Sequence, residues 1–309
     1  AKAMSEQIST AFVKQFGDNI MMLSQQRGSK LRDTVMQEPN VTGEVVFMDQ
    51  IGPTNAQRVT TRHADSPQVD TPHERRRVSL IDIEWGDMID DFDRLKTLID
   101  PQSAYSQNAA WAIGREVDRI IIENFFSDAV TGKDGGGTQS FPASQKIAVG
   151  VDDSAGSGVT NSGGSGGKGL NVEKLRQARK RLKEENIDLE AETPTIVVKA
   201  DQTFDLLTQD EVTNADFNTV RALVNGELDT YMGFRFVHTE LLETDGSGDV
   251  LNPVYVSSGM GMAEAQSPTS RITERPDKRF STYIYYSTSM GATRLEEERV
   301  VQIANSPRS

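Results

Sequence analysis

The stretch that most constrains the fold runs from Asp100 to Val130, DPQSAYSQNAAWAIGREVDRIIIENFFSDAV. Asp100 is placed to accept from the free backbone N–H groups of a helix start, and Pro101 sits where its missing N–H costs nothing. Tyr105, Ala109, Ile113, Val117, Ile120, Ile121 and Phe125 recur at threes and fours, which puts them on one helical face. Arg115, Glu116, Asp118 and Arg119 fall largely off that stripe. At about 1.5 Å per residue the helix is on the order of 45 Å long. A compact chain of 309 residues has a radius of gyration of roughly 19 Å and is only about 50 Å across. One helix therefore runs nearly the width of the molecule, and Gly114 marks a place for a bend.

The segments before that helix are too polar to fold alone. Residues 1–37 offer Phe12, Phe16, Ile20 and Leu23 as a stripe that Gly17 interrupts, followed by the polar run Gln25 to Arg32. This is either a partly frayed terminus or an arm that becomes ordered against a neighbouring subunit. Val41 to Trp85 reads as a long hairpin, with Val41, Val45, Phe47 and Ile51 on one arm and Ser79, Ile81, Ile83 and Trp85 on the other. Between them, Gly52 to Arg76 holds only Ala56, Val59, Ala64 and Val69 as apolar residues, and three prolines limit regular pairing. Such a segment cannot offset its own ordering entropy, so it is a mobile loop or an extension laid over something else. Its base is electrically uneven: Arg75-Arg76-Arg77 precedes Asp82, Glu84, Asp87, Asp90, Asp91 and Asp93. A basic stub beside an acidic ledge suits repeated pairing between identical copies, or both are simply solvated faces.

After the helix, Gly132 to Gly169 holds twelve of the chain's 25 glycines and reads as a linker or flexible surface loop. Asn171 caps a second helix with a stripe of Val172, Leu175, Ala178 and Leu182. Pro194-Thr195-Ile196-Val197-Val198-Lys199 is a buried-strand candidate, and Asp201 then starts a short helix, Gln202 to Thr208. Further strands are predicted at Gly233–His238, Pro253–Val256, Ser281–Ser287 and Arg299–Ile303. Strands and helices mixed without regular alternation predict an α+β fold.

Chemistry is sought and not found. Gly163-Gly164-Ser165-Gly166-Gly167 matches a nucleophile elbow, and Gly164 to Gly169 fits a dinucleotide fingerprint, but no apolar strand feeds either. His63, His73 and His238 are scattered, and there is no cysteine, so neither a catalytic residue nor a metal site nor a cofactor site is nominated. The formal net charge of −13 argues against tight, sequence-blind nucleic-acid binding, although residues 1–32 carry five basic residues against two acidic ones. No apolar run approaches the roughly 20 residues that span a bilayer, and no signal-peptide core opens the chain, so a soluble compartment and no membrane partner are expected.

The order of these parts resembles the major capsid protein of tailed bacteriophages, the HK97-like fold. Thr10-Ala11-Phe12-Val13-Lys14-Gln15-Phe16, Gly291-Ala292-Thr293-Arg294-Leu295 and Val300-Val301-Gln302-Ile303 look like the ends of one branch of that family. The resemblance implies an N-arm at 1–37 and an extended E-loop hairpin at 38–85. It implies a peripheral-domain region at 86–192, with spine helix 100–130, glycine-rich loop 132–169 and second helix 171–186. An axial-domain region at 193–268 and C-terminal strands at 269–309 returning to the peripheral domain complete it. It also implies a shell subunit that forms hexamers and pentamers around double-stranded DNA without sequence-specific binding, in the virion after assembly in the host cytoplasm. Scaffolding, portal and decoration proteins are the further partners expected; the scaffold is separate or removed by cleavage before Ala1. No lysine–asparagine cross-link can be aligned. Contacts between subunits are expected at Phe12, Phe16, Arg27, Arg58, Arg62, Arg75, Arg76, Arg77, Asp87, Asp90 and Asp91. The alternatives are an encapsulin-like nanocompartment shell, a soluble α+β enzyme whose glycine loop cradles a phosphate ligand, and an extracellular binding protein.

Overall fold

The structure, a computed structural model, describes residues 25–58, 68–89, 102–151, 168–208 and 230–307. The long helix forms as α1 (Gln102–Phe126), 25 residues and about 37 Å of axis. Asp100 and Pro101 lie outside the described residues. Ala109, Ile113, Val117, Ile120, Ile121 and Phe125 are buried as the stripe requires, while Tyr105 stays exposed.

Two expectations for this helix fail together. Asp118, expected off the stripe, is fully buried. Gly114 is not a bend. A Cβ there would stand 2.5 Å from the backbone of Gly28 and Ser29, so its role is close approach. Both facts come from one cause, the segment 25–35 lying across the helix. The Asp118 carboxylate accepts from the backbone N–H groups of Lys30 (3.0 Å) and Leu31 (3.1 Å), the Ser29 hydroxyl and the Gln26 amide. Arg115 donates to Gln25, and Leu31 is wholly buried. This part of the N-terminal region is therefore neither frayed nor lent to a neighbour. It continues into β1 (Met36–Pro39), and residues 1–24 lie outside the described residues.

The predicted hairpin exists with a different second arm. β2 (Val45–Ile51) pairs antiparallel with β3 (His73–Ser79), from Val45↔Ser79 to Ile51↔His73. Ile81 to Ile89 forms β4, a separate strand in another sheet. The misassignment has a clear source: β3 turns Arg76 and Val78 inward, and a buried arginine hides the alternation. The residues between the arms are thus 52–72, with Gly52 N–H still donating to the Pro72 carbonyl. Residues 59–67 lie outside the described residues.

The glycine-rich stretch is likewise more built than a linker. β5 (Ala129–Thr131) and β6 (Gly137–Gln139) form a hairpin extending the β2–β3 sheet, in the order β2-β3-β5-β6. Phe141 and Ile147 are buried anchors, and β7 (Lys146–Ile147) joins the central sheet. Asn171 caps α2 (Val172–Glu184), its side chain accepting from Lys174 N–H, and the predicted stripe is buried.

The central sheet has six strands, ordered β7-β14-β11-β8-β10-β9. These are β8 (Thr195–Val198), β9 (Thr230–Tyr231), β10 (Phe234–His238), β11 (Val250–Tyr255) and β14 (Val300–Asn305) around the elements already named. α3 (Ala200–Leu207) follows β8. Ile196, Val198, Val254, Val301 and Ile303 pack with Leu175, Ala178 and Leu182 of α2. Val197, Val237, Tyr255 and Val300 instead enter the cluster that holds Ile113, Val117 and Phe125 of α1. Being covered on both faces explains why β8 is apolar at every position but its first.

The third sheet, β1-β12-β13-β4, was largely unforeseen. β12 (Met260–Arg275) and β13 (Ser281–Arg294) are 16 and 14 residues long, and α1 packs on β13 and β4. A register irregularity between Gln266 and Thr269 accommodates Pro268, which has no N–H for a ladder. The boundary expected at 268/269 falls inside this strand. Of the C-terminal strands, β13 lies with α1, whereas β14 enters the six-stranded sheet.

Candidate assembly surfaces

The hairpin β2–β3 is fastened to the body by one buried junction. Arg76 donates to the Leu295 carbonyl and to Glu297, each at 2.8 Å. Arg294 shares Glu297 (3.4 Å) and donates to the carbonyls of Phe125 and Ser127, closing the C-terminal end of α1. It also reaches the Gln139 carbonyl and lies 5.1 Å over the Phe141 ring. Burial lowers the Arg294 pKa from its usual value, and Glu297 opposes that shift. Two arginines, one glutamate and four carbonyls thus hold the hairpin's root, the end of α1 and β6 in one arrangement. An uncompensated charge in such a place costs several kcal/mol, so the three side chains work as a unit.

Above that root the hairpin turns outward. Ile51 is 71 % exposed, and Phe47 is exposed under the Arg75 guanidinium. Arg75 pairs with Asp49 at 2.5 Å on the surface. Arg77 is half-buried, donates weakly to Ser79 and packs close to Gly135. Of the residues expected at contacts between subunits, Arg58, Arg75 and Asp87 are exposed, and Arg27 lies exposed over the Trp111 ring of its own chain. Arg76 is different: it is 4 % exposed and fully engaged inside the chain, so its guanidinium is not available to a neighbour. Phe12, Phe16, Arg62, Asp90 and Asp91 lie outside the described residues.

A second projection was missed in the sequence. Beyond residue 269, the β12–β13 hairpin and β4 form a three-stranded blade. Residues 270–280 are all exposed, including Ile272 and Phe280. The turn holds Arg279 and Phe280 at φ 54° and 58°, an unfavourable conformation for bulky side chains. On β4, Ile81 and Met88 are exposed beside Asp82, Glu84 and Asp87. A signal did exist: Arg271/Thr273/Arg275 and Tyr283/Tyr285/Ser287/Ser289 alternate with period two around Pro276-Asp277-Lys278.

A cleft of about 780 Å³ lies between the hairpin root, residues 185–192 and residues 296–299. Its walls include Glu74, Glu185, Glu192, Glu296 and Glu298, with Arg299 pairing to Glu296 and Glu192. Carboxylate walls repel a phosphate, and no nucleophile–base pair lines the cleft. Among the described residues no group of histidine, aspartate and glutamate could hold a metal ion, and no helix is long and apolar enough to cross a membrane. Gly163 to Gly167 lie outside the described residues.

A family model described as phage capsid protein matches residues 8–306. No curated protein sequence matches the chain. Among solved structures, the capsid of Ralstonia phage GP4 is similar at TM-score 0.72 and 10 % identity, over 96 % of this chain and 95 % of that one. The capsid structure of cyanophage P-SCSP1u matches at TM-score 0.71 and 14 % identity, over 98 % and 95 %. The head structure of Helicobacter pylori bacteriophage KHP40 matches at TM-score 0.71 and 9 % identity, over 99 % of both chains. The likenesses establish the HK97-like capsid fold.

Proposed function

The chain belongs to the phage capsid protein family, a major capsid subunit, and from that premise we propose how it builds a head. Its copies associate into hexamers and pentamers that close an icosahedral shell around double-stranded DNA. The observation that carries this reading is the pairing of a self-sufficient body with a projecting hairpin. Arg76 and Glu297 hold the root of β2–β3 firmly, while Ile51, Phe47 and residues 53–58 and 68–72 are exposed. A surface so exposed and so rigidly aimed suits contact with the next copy. In this reading β2–β3 and residues 52–72 are the extended loop, α1 is the spine, and the six-stranded sheet with α2 is the axial part.

The subunit performs no chemistry and holds no cofactor. Its net charge of −13 lets a container enclose DNA without gripping it. Scaffolding, portal and decoration proteins act on it as separate chains, and it assembles in the host cytoplasm before residing in the virion. Electron microscopy of the concentrated, purified chain tests this directly. Rings or closed shells are expected; a protein that stays monomeric under every assembly condition ends the reading.

A further inference from the structure

Resting on the shell reading above, we propose that the two edges of the β12–β13–β4 blade are halves of one head-to-tail contact. The basic β12 edge of one copy seats against the acidic β4 edge of the next. Register fixes which side chains share a face. Arg271, Tyr285 and Gly86 stand in one row, and Thr273, Tyr283 and Met88 in the next. The same face therefore carries Asp82 and Glu84 on β4, Tyr283, Tyr285, Ser287 and Ser289 on β13, and Arg271 and Arg275 on β12. Contacts confirm the parity: Tyr285 donates to Glu84, Ser289 to Asp82, and Arg275 lies over Tyr283.

The face is thus polarised, acidic along one edge and basic along the other. The charges cannot neutralise each other within the chain. β4 and β12 are separated by β13, two inter-strand spacings or about 9.5 Å, whereas an ion pair closes at about 4 Å. Arg275 is partly satisfied by Asp277 at 2.9 Å, but among the described residues Arg271 has no ion-pair partner. Lys278 and Arg279 in the turn add to the basic side, which stays net positive against Asp277 and, on the opposite face, Glu274; Asp87 adds to the acidic side from the opposite face. Among the described residues both backbone edges are open as well: β4 ends its sheet, and β1 covers β12 only from Gly261 to Glu264.

A nucleic acid is the wrong occupant, since phosphates drawn to Arg271 would meet the row of Asp82 and Glu84. A second copy of this chain presents both signs in the spacing needed. Because the two edges are unlike, the contact repeats in one direction and closes only by rotation, which is how a ring forms.

Charge exchange tests the contact in the full chain. Arg271→Glu alone, and Asp82→Lys with Glu84→Lys, should each lower sedimentable particle yield about tenfold or more while leaving the subunit's melting unchanged. Combining all three substitutions should restore assembly, because position 271 of one copy and positions 82 and 84 of the next again carry opposite charges, with the signs exchanged. Wild-type yield from Arg271→Glu, or failure of the combined variant to recover, overturns the contact while the shell reading stands. If the unsubstituted chain forms neither rings nor shells, the shell reading fails and this contact with it.

Discussion

Asp118 and Glu84 are both carboxylates on regular elements, yet they belong to different kinds of surface. Asp118 lies in the body, wholly buried, and accepts from two backbone N–H groups and two side chains of the segment that crosses α1. Lys174 is treated similarly, its ammonium enclosed by the carbonyls of Lys168, Gly169 and Ala304 and the side chain of Asn305. Glu84 lies on the blade, exposed, with one tyrosine hydroxyl at 3.1 Å and, among the described residues, no cation. Asp118 and Lys174 are satisfied from within the body, whereas the blade leaves Glu84 and Arg271 without an ion-pair partner among the described residues. On the proposed reading, folding is the business of the first region and association that of the second. Substitutions in the two regions should therefore separate into those that unfold the subunit and those that only stop it assembling.

The largest effect on folding is expected at Asp118. Asp118→Ala leaves the buried Leu31 N–H without this acceptor, together with the part-buried Lys30 N–H and Ser29 hydroxyl. The cost is on the order of 3–5 kcal/mol, measured by urea unfolding of the unassembled subunit. Hydrogen exchange at Lys30 and Leu31 should accelerate first. A loss under about 0.5 kcal/mol would mean that the segment 25–35 is not part of the body.

Gly114→Ala should follow, at about 1–3 kcal/mol, because the new methyl meets the backbone of Gly28 and Ser29 rather than a side chain that can swing away. Unfolding midpoints of the same subunit would show it. Gly114→Ala in an ordinary exposed helix would stabilise instead, so the sign of the change discriminates.

These two positions also show where the sequence is readable. The stripe from Ala109 to Phe125 and the cap at Asn171 are local patterns, and the structure keeps them. Asp118 and Gly114 take their meaning from a segment some 85 to 90 residues earlier, which no local periodicity records. Arg76 defeated the hairpin register for a related reason: its partner Glu297 is 221 residues away, and without it an inward arginine looks like a surface residue. β12 was hidden by composition, since Ser267-Pro268-Thr269-Ser270 reads as a turn until the irregular pairing with β13 is seen. The exposure of Arg58 and Arg75 on the hairpin was legible because a surface arginine, even one paired across the hairpin with Asp49 as Arg75 is, needs no distant residue to explain it.

A smaller effect is expected at Tyr255, where body and N-terminal segment meet. Its hydroxyl lies within 2.5 Å of Thr34 Oγ1, and burial pushes its pKa above the usual tyrosine value. The folded state thus keeps a proton that the unfolded chain begins to lose near pH 10. Stability from this group is fully present below about pH 10 and declines as the pH rises further, because the folded state then binds the extra proton. Tyr255→Phe should cost about 1 kcal/mol at neutral pH and flatten the alkaline decline. An unchanged alkaline slope in Tyr255→Phe would assign that decline to other groups.

The smallest effect on folding, and the sharpest on assembly, is expected at the hairpin tip. Arg76 belongs to the body, so a deletion must stop short of β3; one that removed Arg76 would leave Glu297 shared with Arg294 alone and confuse the two regions. Gly52 N–H still donates to the Pro72 carbonyl at 2.9 Å, which makes that pair a natural place to close the hairpin. Replacing residues 53–71 by Asn-Gly, with Pro72→Thr to supply the N–H that closes it, gives the two-residue turn that suits the twist of paired strands. Because residues 53–58 and 68–71 are exposed apart from small patches and contribute none of the buried core, subunit stability should change by no more than about 0.5 kcal/mol. Assembly should be lost, since the proposed reading assigns the hairpin's reach to contact with the next copy. A shortened chain that unfolds would place the tip in the body, and one that still forms shells would show that the hairpin's reach is not what joins the copies.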